Sequence, residues 1–308
     1  MAMHASNASK SIRRGVTLLE VIVCIAVLAM LFAILLPAFM ASRAAADAVG
    51  CRARMNQVGR AVHNFEERHR RFPDANGLLD WQFELLPELD RSDLFRQLQG
   101  HAEESTVLFA ICPATSVPIL QCPSDSKFAS AKCAVNFLRN GGATFYAYEE
   151  DDSHGFNRPR LSSRDVTDGL SMTAYVSERS NELFATNSDR RAFWTTPVLY
   201  VLPLELDLFA NLCEAMPNGA AVGPDNHQTH TFFEGSIRYD HIARPNHATC
   251  KNAGANFFYA AFTANSLHAG GVNVLMADGA VRFVNDHVTR PVWRAMGTRN
   301  GRETFTLP

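Results

Sequence analysis

The sequence predicts an α+β protein with one long amino-terminal helix that begins in a membrane and a β-rich extracytoplasmic head. Three observations predict it. An apolar run from Val21 to Leu36 contains no polar group, and with Val16 to Glu20 and Pro37 to Phe39 it reaches the roughly 20 residues that a bilayer-spanning helix needs. Apolar positions then recur at Ala41, Ala44, Ala48, Cys51, Met55, Val58, Val62, Phe65, His69 and Phe72, a 3,4 spacing that places them on one helix face. From Pro73 onward, short apolar runs alternate with turn signals such as Asp168-Gly169 and Asp278-Gly279, the pattern of an α+β head rich in antiparallel strand.

Lys10, Arg13 and Arg14 precede the apolar run and the bulk of the chain follows it. The positive-inside bias therefore places the amino terminus in the cytoplasm and the head in the periplasm or at the cell surface, on a single-pass inner-membrane anchor. Glu20 is the one charged side chain in the span. A carboxylate there costs on the order of 2 to 3 kcal/mol, so a partner for it is expected. Ala44 to Ala46 would suit a secretory cleavage site, but the apolar run exceeds the roughly 7 to 15 residues of a signal peptide. A plain uncleaved anchor accounts for the length and gives no reason for Gly15 and Glu20 at their spacing.

Beyond the span, Pro37 is expected to kink the helix because it lacks a backbone donor. The amphipathic helix over 40–72 ends at Phe72-Pro73 and the Asn76-Gly77 turn. Trp81 to Leu98 reads as a strand or helix, a turn near Pro87, and a short helix after Asp90. Cys122-Pro123-Ser124-Asp125 reads as a loop, and Asn140 to Arg160 as an exposed one carrying Gly141-Gly142 and the acidic run Glu149 to Asp152. Val272 to Ala277 and Ala280 to Val284 form a hairpin, for which Asp278-Gly279 predicts a type I′ turn.

A net charge of -2 gives no electrostatic case for nucleic acid as a partner. Of seven cysteines, Cys24 lies in the span and six lie outside, Cys51, Cys112, Cys122, Cys133, Cys213 and Cys250. Six allow 15 connectivities. Cys51 with Cys122 is the preferred pair, since it would pin the head to the helix, and Cys213 with Cys250 is the second by elimination. The alternative is free buried thiols. No CxxC is present, which argues against a zinc ribbon or thioredoxin-type site.

His268 and Asp278 could act as base and orienter or as two metal ligands. The Asp-Gly turn already accounts for Asp278 and Gly279, so a hairpin whose histidine bonds nearby backbone is the simpler expectation. His227, His230, His241, His247 and Cys250 lie among Gly, Pro and Asn residues, where no helix aligns them. The Glu149 to Asp152 run lacks the alternation of a calcium loop. Ser124 and Lys127 form an SxxK without the companion motifs of an acylase. GxSxG, HExxH, P-loop and GxGxxG are absent. The reading is therefore no catalytic residue, no metal and no cofactor.

The order of basic residues, Gly15, Val16, Thr17, two leucines and Glu20 resembles the leader of type IV prepilins and type II secretion pseudopilins. The resemblance implies cleavage between Gly15 and Val16 by a prepilin peptidase, methylation of the new Val16 amine, and pairing of Glu20 with that amine on a neighbouring subunit. It implies a leader over 1–15, a transmembrane helix over 16–39, an amphipathic helix over 40–72 and a pilin-like head over 73–308. The stretches CRARMNQVGRAVHNFEERHRRFP, LLPELDRSDLFRQL, QCPSD, DVTDGLSMTAYVSE and SLHAGGVNVLMADGAVRFV are similar to landmarks of a prepilin-like family of unknown function, abundant in planctomycete-type bacteria. Its carboxyl-terminal signature is a histidine, nine residues, then Asp-Gly, matched by His268 and Asp278-Gly279 within 266–284. The expected function is a structural subunit of a type IV pilus or type II secretion-like filament, partnered by the peptidase, other pilin-like subunits and the inner membrane. The rival expectation is a membrane-tethered enzyme or binding module that uses the leader for delivery.

Overall fold

In the computed structural model, the described residues are 17–75, 78–101, 103–104, 107–108, 111, 116–128, 134–145, 155–156, 159–180, 193–196, 205–215, 238–253 and 259–306. The chain divides into two compact units, residues 1–46 and 47–308. Helix α1, Leu18–His69, contributes to both.

In the first unit α1 is exposed on every side, and from Val21 to Met40 it is without charged side chains. It is the one helix among the described residues long and apolar enough to cross a membrane. Pro37 lies inside it without ending it. The Glu20 carboxylate accepts from the Thr17 backbone N–H at 2.8 Å and the Thr17 hydroxyl at 3.0 Å, a cap closed within one turn.

In the second unit α1 buries Cys51, Met55, Val58, Gly59, Ala61, Val62 and Phe65, the face that the 3,4 spacing predicts. His69, on the same face, is exposed and stacks on Phe65 at 4.2 Å. Short helices α2 (Gln82–Leu85) and α3 (Ser92–Gln99) flank a one-turn segment at Leu86–Leu89, as the Trp81 to Leu98 pattern suggests.

Strands β1 (Phe137–Asn140), β2 (Ala174–Glu178), β4 (Arg238–Tyr239), β7 (Gly271–Met276) and β8 (Val281–Asn285) form a five-stranded sheet in the order β4-β1-β2-β7-β8. Its pairs are antiparallel except β1 with β4. Strands β3 (Phe193–Thr195), β5 (Thr249–Lys251) and β6 (Ala260–Ala261) form a second sheet, joined by α4 (Leu206–Glu214), while α5 (Arg290–Gly297) follows β8. One core unites the buried face of α1 with Trp81, Phe137, Tyr175, Leu275 and Trp293, and a satellite core gathers Phe145, Phe209, Cys213, Ile242 and Cys250.

The β7–β8 hairpin has the expected position and a different turn. A type I′ turn needs positive φ at both central residues, but only Gly279 has it, at +84°. The closing bond runs from Gly279 N–H to Met276 O at 2.9 Å, so Ala277 and Asp278 are the turn centres and Gly279 follows in the left-handed conformation. The Asp278 carboxylate accepts from Ala280 N–H at 2.9 Å, which favours this form.

Candidate metal centre

Four residues from four distant stretches meet in the core of the head. Cys51 comes from the buried face of α1, Cys122 from the link between the short helical segments Pro118–Leu120 and Pro123–Phe128, Glu178 from the last position of β2, and His268 from the loop before β7. They are 0%, 7%, 2% and 9% exposed, which places all four in the interior. Their ligand atoms all lie within 4.8 Å of one another. Cys51 Sγ donates to Glu178 Oε1 at 2.7 Å, Cys122 Sγ and His268 Nε2 are 3.4 Å apart, and His268 Nε2 lies 3.5 Å from Glu178 Oε1.

Each member is held from behind. Asn273 Nδ2 donates to Glu178 Oε1 at 2.7 Å and the Asn273 N–H to Oε2 at 3.3 Å, while the Ser266 hydroxyl also bonds the carboxylate. Cys122 N–H donates to Asn136 Oδ1 at 2.8 Å, and Asn136 in turn donates to Asp125 and to Arg179 O. His268 N–H donates to the Ser266 hydroxyl at 3.0 Å.

The electrostatics follow from crowding these groups together away from water. Hydrogen bonding with Cys51 first, then His268, pulls the Cys122 thiol down to about 6 against the effect of burial. Cys51 is pushed up, by its bond to Cys122, by burial and by the nearby Glu178 carboxylate. Burial alone would lower His268, but its bonds to Cys122 and Glu178 outweigh it and push it up to about 10. Burial would likewise raise Glu178, yet His268 and the Cys51 thiol hold it below the usual carboxylate range. The site thus carries acidic sulfur, a charged imidazole and a charged carboxylate in contact.

The expected pairing of Cys51 with Cys122 is corrected in one respect. The two sulfurs are neighbours, so the helix is pinned to the loop, but both are free thiols. Cys213 and Cys250 are bonded, as expected. Cys112 and Cys133 lie outside the described residues, as do Gly15, Val16, His227, His230 and the Glu149 to Asp152 run.

His268 and Asp278 do not meet, because β7 runs between them. Asp278 is exposed in the turn. His268 does not bond backbone through its ring as expected; the ring faces a thiol and a carboxylate instead. His241 is buried apart from this cluster, donating from Nδ1 to Trp293 O and accepting at Nε2 from Tyr239. Glu178 is the site residue that the sequence reading missed. Its one cue was an acidic residue closing an apolar, β-prone run, a signal too weak to suggest a ligand.

A family model described as protein of unknown function (DUF1559) matches residues 40–290, most of the chain, and the model of the prokaryotic N-terminal methylation motif matches residues 10–36. The methylation motif marks the chain as a pilin-like substrate of a prepilin peptidase and as a membrane-associated protein. No curated protein and no solved structure matches the chain.

Proposed function

The chain belongs to the DUF1559 family of proteins of unknown function, and from that premise we propose that it is a structural, pilin-like subunit and not an enzyme. In this reading the peptidase removes residues 1–15, the Val16 amine is methylated, and residues 16–39 remain in the inner membrane or pack against the same helix of other subunits. The head lies in the periplasm or at the cell surface, and the subunits belong to a type IV pilus or type II secretion-like filament.

One observation carries the reading. From Val21 to Met40 the helix is without charged side chains and exposed all round, so it needs either lipid or like helices to cover it. Glu20, at its amino end, is bonded to Thr17 one turn away, which leaves it next to the new amino terminus that cleavage after Gly15 would create. An ammonium on Val16 of a neighbouring subunit would offset the cost of that carboxylate in lipid.

Electron microscopy of sheared surface material, compared between wild type and Glu20→Ala, tests the reading. Filaments that contain the chain in the wild type and vanish in the variant, with processing intact, support it. Normal filaments in the variant, or a chain confined to the membrane in both, count against a filament subunit.

A further inference from the structure

We propose that Cys51, Cys122, Glu178 and His268 are the four ligands of a structural zinc ion that fastens the long helix to the sheet of the head. The donor set is the first argument. Two thiolates and an imidazole select zinc over magnesium or calcium, which prefer all-oxygen shells. The ligand count is the second. Four protein ligands, all in the interior, fill a tetrahedral shell and leave no open position for substrate, the arrangement of a structural site.

Geometry agrees with the donor set. Bonds of about 2.0 to 2.3 Å in a tetrahedron put neighbouring ligand atoms roughly 3.3 to 3.8 Å apart. The Cys122–His268 and His268–Glu178 separations of 3.4 and 3.5 Å already fall there. The Cys51–Glu178 separation of 2.7 Å is shorter, so these two atoms would move apart to admit the ion.

The charge is low as well: zinc with two thiolates, a carboxylate and a neutral imidazole carries one net negative charge, and the protons held at the ligand atoms go to solvent as the ion binds. The bonds from Asn273 and Ser266 to Glu178 are the outer contacts that orient a ligating carboxylate.

A Cys51–Cys122 disulfide would use two of the four groups and leave the convergence of Glu178 and His268 on the sulfurs without a purpose. The full chain, purified in detergent without a metal-affinity step, decides between them. Elemental analysis is expected to find one zinc per chain, and replacement by cobalt to give a thiolate-to-cobalt charge-transfer band. His268→Gln is expected to lose the zinc with its circular dichroism unchanged in shape. Asn273→Ala, which removes the side-chain bond to Glu178 Oε1, is expected to weaken zinc affinity by about 10- to 100-fold. The cobalt spectrum needs no variant, so it reads ligation even where a cysteine substitution fails to fold. A chain without metal whose peptide map contains a Cys51–Cys122 bridge overturns the proposal. So does zinc that stays in His268→Gln, or cobalt that binds without the thiolate band.

Discussion

A Cβ atom built on Gly279 would lie 2.5 Å from Nε2 of His63, so a side chain in the β7–β8 turn would have to displace the His63 ring of α1. Gly59, one turn earlier on the same helix, is its counterpart, with a built Cβ 2.7 Å from Leu275 Cδ1 and 3.2 Å from Gly279 O. Helix and hairpin approach backbone to backbone at this point, and the Asp278-Gly279 turn is where the helix docks.

Gly279→Val is therefore expected to destabilise the head for two reasons. A branched residue at φ +84° costs on the order of 1 to 3 kcal/mol in strain, and its side chain meets His63. Thermal unfolding of wild type and variant checks this, and adding His63→Ala to Gly279→Val should restore only the part due to the clash.

Gly59→Ala gives a sharper test, because its expected sign runs against helix propensity. In an exposed helix the change would stabilise by about 1 kcal/mol. Here the added methyl meets Leu275 and the turn, so the melting temperature should fall. A rise would mean that Leu275 and the turn yield to the methyl at a cost below the gain in helix propensity.

The Cys213–Cys250 bridge closes a loop of sequence separation 37 beside the satellite core. In the chain-entropy model that is worth about 4 kcal/mol. Cys213→Ala with Cys250→Ala should lower the unfolding midpoint and expose Phe209 and Ile242, read as faster hydrogen exchange in α4 before the five-stranded sheet opens.

His241 gives the head a stability that falls in acid. Burial pushes its pKa down to about 3, partly opposed by its bond to Trp293 O. The unfolded value is near 6.5, so the unfolded chain takes the proton first as pH falls. The contribution is complete above about 6.5 and declines by about 1.4 kcal/mol per pH unit down to about 3. Asp240, pushed up to about 6 by burial, works in the opposite direction and stabilises the fold below that pH. The two contributions oppose each other between about pH 4 and 6. His241→Gln should therefore gain stability relative to the wild type as pH drops from 7 to 4, and equal pH profiles would contradict the assignment.

Much of this was readable from periodicity and turn chemistry. The 3,4 spacing gave the buried face of α1 from Cys51 to Phe65, because packing against a sheet requires a stripe. It did not show that Ala41 and Ala44, in the amino-terminal unit, and His69 would be exposed. Asp278-Gly279 marked the hairpin, but that dipeptide suits both a type I′ turn and a type I turn followed by a left-handed glycine, so only the backbone separates them. The four-residue cluster was the least readable feature. Its members lie far apart in sequence, and only the strand order that puts β2 beside β7, under α1, brings Glu178 and His268 to the two thiols.

The mass of the mature chain tests the central claim most directly. Intact-mass spectrometry of membrane-extracted protein should find a chain that begins at Val16, lacks residues 1–15 and carries one added methyl group on its amine. A chain that begins at Met1, or one cut after Ala46 and released without its helix, would contradict the account.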